Sequence, residues 1–256
     1  MLFSANLGFL FTDRPLPDAI RAAAAAGFDA VECHWPYEVP AEDVKAALAE
    51  TGLPMLGLNT RRGRPGENGL SALPGREAEA REEIDRALAY ALVIGAANVH
   101  VMAGFAAGPD AAATYRANLT YACDAAASAG ITILIEPLNH YDAPAYHIGR
   151  TDEAMTVIEA VGRPNLKLMF DAYHVQIMEG DLTRRLRALL PMIGHVQIAS
   201  VPDRGEPDEG EVDLLFVLKA LKTLGWTAPV GAEYKPRAGT EAGLGWRARF
   251  RAALAD

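Results

Sequence analysis

The sequence predicts an α/β fold, a closed (β/α)₈ barrel, from two regularities. Short strand-like runs and amphipathic helix-like segments alternate eight times over 256 residues, and units of this length are typical of such a barrel. Seven glycines also follow helix-like stretches, where glycine can end a helix in the left-handed conformation. They are Gly27, Gly52, Gly95, Gly130, Gly162, Gly194 and Gly225. An open, doubly wound sheet is the alternative.

The strand candidates are short apolar runs bounded by loop residues. In chain order they are LFSANLGF, DAVEC, PMLGLN, NVHVMA, ITILIE, LKLMF, HVQIA and PVGAEY. The helix candidates carry apolar residues at three- and four-residue steps. They are PDAIRAAAAA, EDVKAALAE, GREAEAREEIDRALAYALVI, AATYRANLTYACDAAAS, TDEAMTVIEAV, DLTRRLRALLPMI, DLLFVLKALKTL and AGLGWRARFRAAL. No linker or low-complexity tract interrupts them, so the sequence favours a single barrel domain over residues 1–256.

One connection is longer than a barrel needs. Residues 61–77, RRGRPGENGLSALPGRE, follow the third strand candidate. Loops that follow strands surround the active site of a (β/α)₈ barrel. This segment is therefore predicted either to cover a substrate or to be an ordinary surface insertion.

Composition limits the class of partner. The formal net charge of -9 and the isoelectric point near 5.2 argue against a surface that binds nucleic acid, which needs a basic stripe, and favour a small-molecule substrate. Cys33 and Cys123 are too few for a disulfide framework, so both are expected to be reduced. The start lacks the basic region of a signal peptide, and no apolar run could span a bilayer. We expect a cytoplasmic protein with no membrane contact; a monomer and a homo-oligomer are both open.

Four oxygen-bearing residues end consecutive strand candidates in the second half of the chain. They are Glu136, Asp171, Gln197 and Glu233, separated by 35, 26 and 36 residues. Because strand ends meet at one rim of a barrel, we expect these side chains to converge. Two carboxylates 4 Å apart repel by roughly 4 kcal/mol at an effective dielectric of about 20, and a divalent cation would relieve this repulsion. An all-oxygen set without cysteine favours Mg²⁺ or Mn²⁺.

Several nearby residues are candidates for binding substrate. His174, three residues after Asp171, is expected in a loop at the same rim, where it could orient a carboxylate or contact a substrate hydroxyl. Lys235, two residues after Glu233, faces the same side of the strand and could bind a substrate carboxylate, or lies free in solvent. His100 and Asn59 are weaker candidates for the pocket lining.

Arg204 allows two interpretations. It follows the seventh strand candidate and could hold a carboxylate through two hydrogen bonds, or it could pair with its neighbours Asp203 and Glu206 as surface arginines do. Further candidates for the pocket wall are Glu32, His34, Trp35, His140 and Asp142.

No GxSxG, GxGxxG or GxxxxGK[ST] motif occurs, so acyl transfer, dinucleotide redox chemistry and P-loop phosphoryl transfer have no support.

At these residues the chain resembles the hydroxypyruvate isomerase family of the xylose isomerase-like barrel superfamily. The resemblance runs along the whole chain through FSANLGFLF, LPGRE, IEPLNHYDAP, FDAYHVQIMEGDL, GHVQIASVPDRGEPDEGE, GAEYKP and TEAGLGW. It implies that Glu136, Asp171, Gln197 and Glu233 bind a divalent metal and that Glu136 and Glu233 are catalytic. Related ketose 3-epimerases usually carry histidine where this chain has Gln197.

The resemblance implies isomerisation of a small 2-oxo acid through an enediolate. NHYDAPAYH is more similar to enzymes that convert hydroxypyruvate to tartronate semialdehyde, whereas GLSALPGRE and VHVMAG are more similar to 2-oxo-tetronate isomerases. We take hydroxypyruvate as the first expectation. The alternatives are 2-oxo-tetronate isomerisation, ketose 3-epimerisation, a phosphodiester endonuclease on the same barrel, and a non-catalytic metal-binding barrel.

Overall fold

Eight parallel strands surround a common axis in the computed structural model, which describes residues 1–255. The strands are β1 (Phe3–Asn6), β2 (Ala30–Glu32), β3 (Gly57–Asn59), β4 (Asn98–His100), β5 (Thr132–Ile135), β6 (Leu166–Asp171), β7 (Ile193–Ile198) and β8 (Val230–Ala232). Their hydrogen-bonded order is β2-β1-β8-β7-β6-β5-β4-β3. Each of the eight strand predictions is confirmed.

The two strands at the ends of that order also meet. The Leu56 amide donates to the Val31 carbonyl at 2.7 Å, and the Cys33 amide donates to the Gly57 carbonyl at 3.0 Å. These bonds join β2 to β3 and nearly close the barrel. The predicted (β/α)₈ architecture is therefore confirmed over the open, doubly wound alternative.

Helices cover the outside of the barrel. They are α1 (Leu16–Ala25), α2 (Ala41–Thr51), α3 (Glu77–Ile94), α4 (Pro109–Ala126), α5 (Thr151–Val161), α6 (Ala172–Met178), α7 (Leu182–Leu189), α8 (Leu214–Thr223) and α9 (Gly245–Ala253). All eight predicted helices are present, although the element order shows two helices, α6 and α7, after β6. No helix within residues 1–255 has the length and apolar character needed to cross a bilayer.

The prediction of a loop after Asp171 is wrong, because α6 begins immediately after that residue. Asp171 is the N-cap of α6, and its Oδ1 accepts a hydrogen bond from the Tyr173 amide at 2.9 Å. An aspartate at this position satisfies one of the amides that a helix start leaves without a partner. His174 consequently lies in the first turn of α6 and has a fixed backbone.

The glycine prediction holds at six of the seven positions. Gly52, Gly95 and Gly162, for example, end α2, α3 and α5 with φ values of 71°, 70° and 63°. Gly194 is the exception, because it lies inside β7. A Cβ atom there would lie 2.7 Å from Leu134 Cδ2, so this glycine is needed for close packing between strands.

The long segment after β3 is anchored at both ends of its turn. The Gly69 amide donates to the Arg62 carbonyl at 2.8 Å, and the Ala72 amide donates to the Ala103 carbonyl at 2.8 Å. Arg76 adds an ion pair to Glu67 inside the segment. The segment is thus a folded structure, and its residues 62–68 line the cavity at the carboxyl ends of the strands.

Candidate active site

The four strand-end residues all lie at the carboxyl end of the barrel, on β6 and β7 or directly after β5 and β8. Glu136 and Glu233 are the first residues after β5 and β8, Asp171 is the last residue of β6, and Gln197 lies in β7. Asp171 and Gln197 are register partners on adjacent strands. All four side chains are buried, with residue exposures of 6, 1, 3 and 6% in chain order. Above them opens a mouth cavity of about 730 Å³ that Glu136 and Glu233 both line.

Buried oxygen atoms at this site have no hydrogen-bond partner among the described residues. They are Glu136 Oε1, Gln197 Oε1 and Glu233 Oε2. Buried acceptors are nearly always satisfied, and an unsatisfied one costs free energy. The residues of these three unsatisfied oxygens line one pocket, which indicates that a positively charged or hydrogen-donating group belongs there. This donor set, composed of carboxylate and amide oxygens, fits a hard divalent cation.

His174 lies against the carboxylates but is oriented as a hydrogen-bond donor. Its Nδ1 accepts a hydrogen bond from the Asn139 amide at 3.0 Å, so the proton of the neutral ring sits on Nε2. Nε2 lies 3.6 Å from Asp171 Oδ2 and 3.9 Å from Glu136 Oε1. Ligand atoms of Glu136, Asp171 and His174 all lie within 4.8 Å of one another. In this arrangement His174 can donate to a carboxylate or a substrate oxygen, whereas a metal would need the lone pair that Nε2 lacks.

Arg204 occupies the space between the carboxylates. Its Nη2 lies 3.4 Å from Asp171 Oδ2 and 3.4 Å from Glu233 Oε1, and its Nη1 lies 3.4 Å from Asp142 Oδ2. The guanidinium is buried over the rings of Phe9 and Tyr173, at 4.8 and 4.9 Å from their centroids. Among residues 1–255, no other arginine lies within 4 Å of the carboxylates of Asp171 and Glu233.

The alternative pairing of Arg204 with Asp203 and Glu206 is wrong. Arg204 has a left-handed backbone with φ 54°, which turns the loop so that the side chain enters the barrel mouth. Glu206 instead binds Arg237 at 3.0 Å. Sequence proximity could not reveal this, because the partners of Arg204 come from three other strand ends and loops.

The electrostatic environment raises the pKa values of Glu136 and Asp171. Burial, reinforced by the charges of Glu233 and Asp171, raises the pKa of Glu136 well above its ordinary value. Burial likewise raises the pKa of Asp171 to about 7, against the opposing charge of Arg204. Three buried carboxyl groups face one buried guanidinium, so the fully ionised site carries excess negative charge, which a divalent cation would balance.

The other predicted pocket residues differ in their roles. His100 is buried, its Nδ1 lies 3.6 Å from Glu136 Oε2, and burial lowers its pKa to about 3, so it is a neutral neighbour. Asn59 lines the cavity, and its carbonyl accepts a hydrogen bond from Tyr37 at 2.5 Å. Lys235 is exposed, lines the cavity, and makes no ion pair within residues 1–255.

The weaker wall candidates separate into two groups. His34 and Trp35 line the cavity, and His34 Nε2 lies 3.1 Å from Glu233 Oε1. Asp142 also lines the cavity, through its contact with Arg204. His140 does not: it is exposed, and its Nδ1 lies 3.0 Å from Met178 Sδ.

A second buried polar cluster lies beneath the site, and its histidine was not among the sequence candidates. Glu32 accepts hydrogen bonds from Ser4 Oγ at 2.8 Å and Gln197 Nε2 at 2.7 Å, and His195 Nε2 lies 3.0 Å from it. Burial would raise the pKa of Glu32, but His195 and the hydrogen bonds hold it below its ordinary value. The alternation of β7 gave a signal for His195, since residues 195 and 197 face the same side of a strand.

The fold and this acidic site at the strand ends define a (β/α)₈ barrel of the kind that binds a small molecule at its carboxyl rim. The chain belongs to the xylose isomerase-like TIM barrel family, because residues 20–250 match that family's sequence profile. This membership confirms the resemblance that the motifs indicated.

Full-length relatives share this barrel. The chain is 48% identical over 250 residues to the 2-oxo-tetronate isomerase of Cupriavidus necator, covering 95% of this chain and 96% of the relative. It is 38% identical over 256 residues to the hydroxypyruvate isomerase of Escherichia coli K12, covering 97% and 99%. A crystal structure of an AP endonuclease, family 2, from Brucella melitensis superposes with a TM-score of 0.94 at 41% identity, covering 97% and 98%.

Proposed function

We propose that this protein is a metal-dependent isomerase of a small 2-oxo acid. It moves the carbonyl from carbon 2 to carbon 3 through an enediolate, which gives an aldehyde or a second ketone, depending on the length of the acid. The observation that carries the proposal is the set of buried, unsatisfied oxygens of Glu136, Gln197 and Glu233. They line one pocket. The names of the two isomerase relatives support the same reaction class.

A four-carbon acid is the better supported substrate. The 2-oxo-tetronate isomerase relative is 48% identical, against 38% for the hydroxypyruvate isomerase, and the segments GLSALPGRE and VHVMAG favour the same choice. NHYDAPAYH favours hydroxypyruvate, which remains the second candidate. The chemistry is shared, because in both acids a proton leaves carbon 3 and a proton is added to carbon 2.

Glu136, Asp171, Gln197 and Glu233 would hold the divalent cation, Mg²⁺ or Mn²⁺. Such an ion, when bound, acts as a Lewis acid on a carbonyl oxygen. Glu136 and Glu233 both line the mouth cavity and a smaller pocket beneath it, so both can reach a bound substrate. One would remove the proton from carbon 3 and the other would return a proton to carbon 2, a role in which a positioned carboxylate contributes about 10²- to 10⁴-fold.

His174 would donate its Nε2 proton to a substrate oxygen at this site. Its neutral state fits that role, because burial, together with the charge of Arg204, lowers the pKa of His174 well below its ordinary value. A neutral donor can stabilise developing negative charge on an oxygen without first losing a proton.

The substrate carboxylate would bind cations at the cavity mouth. Arg204 already contacts Asp142, Asp171 and Glu233. Lys235 and Arg62 make no ion pair within residues 1–255, and both line the cavity. The Arg62 guanidinium stacks 3.8 Å from the centroid of the Trp35 ring, which leaves its N–H groups free at its edges. These two cations therefore favour an acid over a neutral sugar.

Steady-state assays test the proposal. Metal-stripped protein would be supplied with Mg²⁺ or Mn²⁺ and with 2-oxo-tetronates or hydroxypyruvate, and products would be identified by NMR in D₂O. We expect a shift of the carbonyl between adjacent carbons, with deuterium on carbon 2. Inversion without a carbonyl shift would identify an epimerase instead. Turnover of none of these acids, or nicking of abasic-site DNA by the same protein, would overturn the proposal.

A further inference from the structure

Gln197 is held in one orientation by its neighbours. Its Nε2 donates to Glu32 Oε2 at 2.7 Å, while its Oε1 is buried without a partner. The reverse orientation would place Oε1 against the carboxylate, acceptor against acceptor, and would lose this hydrogen bond. The Glu32 carboxylate therefore determines which end of the amide stays unpaired, in a pocket that Glu136 and Glu233 also line.

Glu32 is itself fixed by the strands beside it. Ser4 on β1 donates to Glu32 Oε1 at 2.8 Å, and His195 Nε2 on β7 lies 3.0 Å from Oε2. Gly231 on β8 leaves the necessary space, because a Cβ atom there would lie 2.3 Å from Glu32 Oε1 and 2.8 Å from Gln197 Cγ. Three strands thus keep the carboxylate in one place below the amide.

We infer that Glu32 is a positioning residue: it turns the Gln197 amide so that the oxygen faces the cation site, and it increases the electron density on that oxygen. The inference rests on the proposed function, because it needs a cation at the site. A carboxylate that accepts from the far end of a ligand group makes the group a better ligand, and removing such partners weakens metal binding by about 10- to 100-fold. Glu32 itself lies outside the set of proposed ligands.

The test is Mn²⁺ binding to metal-stripped protein, measured by titration calorimetry with the melting temperature recorded for each variant. Glu32→Gln keeps the size of the side chain and removes the carboxylate, and we expect it to weaken Mn²⁺ binding by about 10- to 100-fold. Ser4→Ala is the matched control. It removes a donor from the same carboxylate but leaves the Gln197 contact in place, so Mn²⁺ affinity should change by less than about twofold while the melting temperature falls.

A second variant covers the case in which Glu32→Gln does not fold. Gly231→Ala changes no polar group but would displace the Glu32 carboxylate and the Gln197 stem, so Mn²⁺ binding should again weaken by about tenfold. Unchanged Mn²⁺ affinity in a folded Glu32→Gln or Gly231→Ala protein would overturn the inference and leave a purely structural role for Glu32. Failure of the wild-type protein to bind Mn²⁺ or Mg²⁺ would instead overturn the proposed function, and this inference with it.

Discussion

Glu32 and Glu136 are two glutamates at strand ends with nearly equal burial, exposed by 5 and 6%, yet they have opposite properties. Glu32 has three donors around it, and its pKa lies below the ordinary value. Glu136 Oε1 has no hydrogen-bond partner within residues 1–255, and its pKa is raised. Two carboxylates with nearly the same burial therefore differ in pKa because one has hydrogen-bond donors around it and the other faces further carboxylates.

A similar difference separates β1 and β2 from the strands of the second half of the barrel. In β1 and β2 the strand-end polar groups are satisfied internally: Asn6 Oδ1, for example, accepts from the Gly8 amide at 2.9 Å, and Glu32 binds Ser4. In β5 to β8 the strand ends leave oxygens free toward the cavity, at Glu136, Gln197 and Glu233. The ends of β1 and β2 thus hold one another in place, and the ends of β5, β7 and β8 carry the oxygens that we propose as ligands.

Glu136→Gln is expected to have the largest effect. Turnover should fall by at least about 10²-fold, because a positioned acid or base contributes about 10²- to 10⁴-fold. The melting temperature of the metal-free protein should rise at neutral pH, because glutamine is neutral without the proton that the raised pKa of Glu136 implies. Activity and thermal melting would be compared with Glu159→Gln, an exposed glutamate of α5. Retained isomerase activity, or a lower melting temperature in the metal-free variant, would contradict the distinction drawn between Glu136 and Glu32.

Metal-free protein should lose stability as pH rises toward 7. The folded-state pKa of Asp171 is raised to about 7, so between its ordinary range and pH 7 the folded protein holds a proton that the unfolded chain releases. The unfolding free energy therefore falls with rising pH through that window. Mn²⁺ should then raise the melting temperature more at about pH 8 than at about pH 5, since protons compete with the ion. An equal Mn²⁺ effect at both pH values, measured in metal-stripped protein, would contradict this.

Lys235→Met should raise the KM for the acid substrate by about fivefold with little change in kcat, because the contact of an exposed cation with a carboxylate is worth at most about 1 kcal/mol. For any neutral ketose that the enzyme also converts, the KM should not change. An unchanged KM for the acid would remove Lys235 from carboxylate binding.

Arg62→Met should have a smaller effect, a rise in KM of about threefold, since contacts of exposed cations are worth about 0.2–1 kcal/mol. Arg61→Met is the matched control: Arg61 pairs with Glu38 at 2.9 Å and stacks on Tyr37, away from the cavity. Equal KM values for the two variants would show that the unpaired state of Arg62 has no functional meaning.

The sequence alone could predict the strands, most of the helices and the grouping of the strand-end residues, because these follow from periodic patterns along the chain. Strand ends of a parallel barrel meet by geometry, so Glu136, Asp171, Gln197 and Glu233 could be grouped without coordinates. Sequence analysis missed α6, because this helix has only seven residues and is too short to show the repeating apolar pattern of an amphipathic helix. The partners of Arg204 and the Glu32–His195 contact join residues far apart in sequence, and no local pattern records such contacts.

The two oxygens of Asp171 have different partners. Oδ1 accepts a hydrogen bond from the Tyr173 amide at the start of α6, and Oδ2 faces Arg204 and the proposed cation site. The carboxylate therefore cannot swing away from the site without also freeing the Tyr173 amide. Fraying of the first turn of α6 and movement of the Asp171 carboxylate are therefore coupled. The hydrogen-exchange rate of the Tyr173 amide should fall when a ligand holds this carboxylate in place.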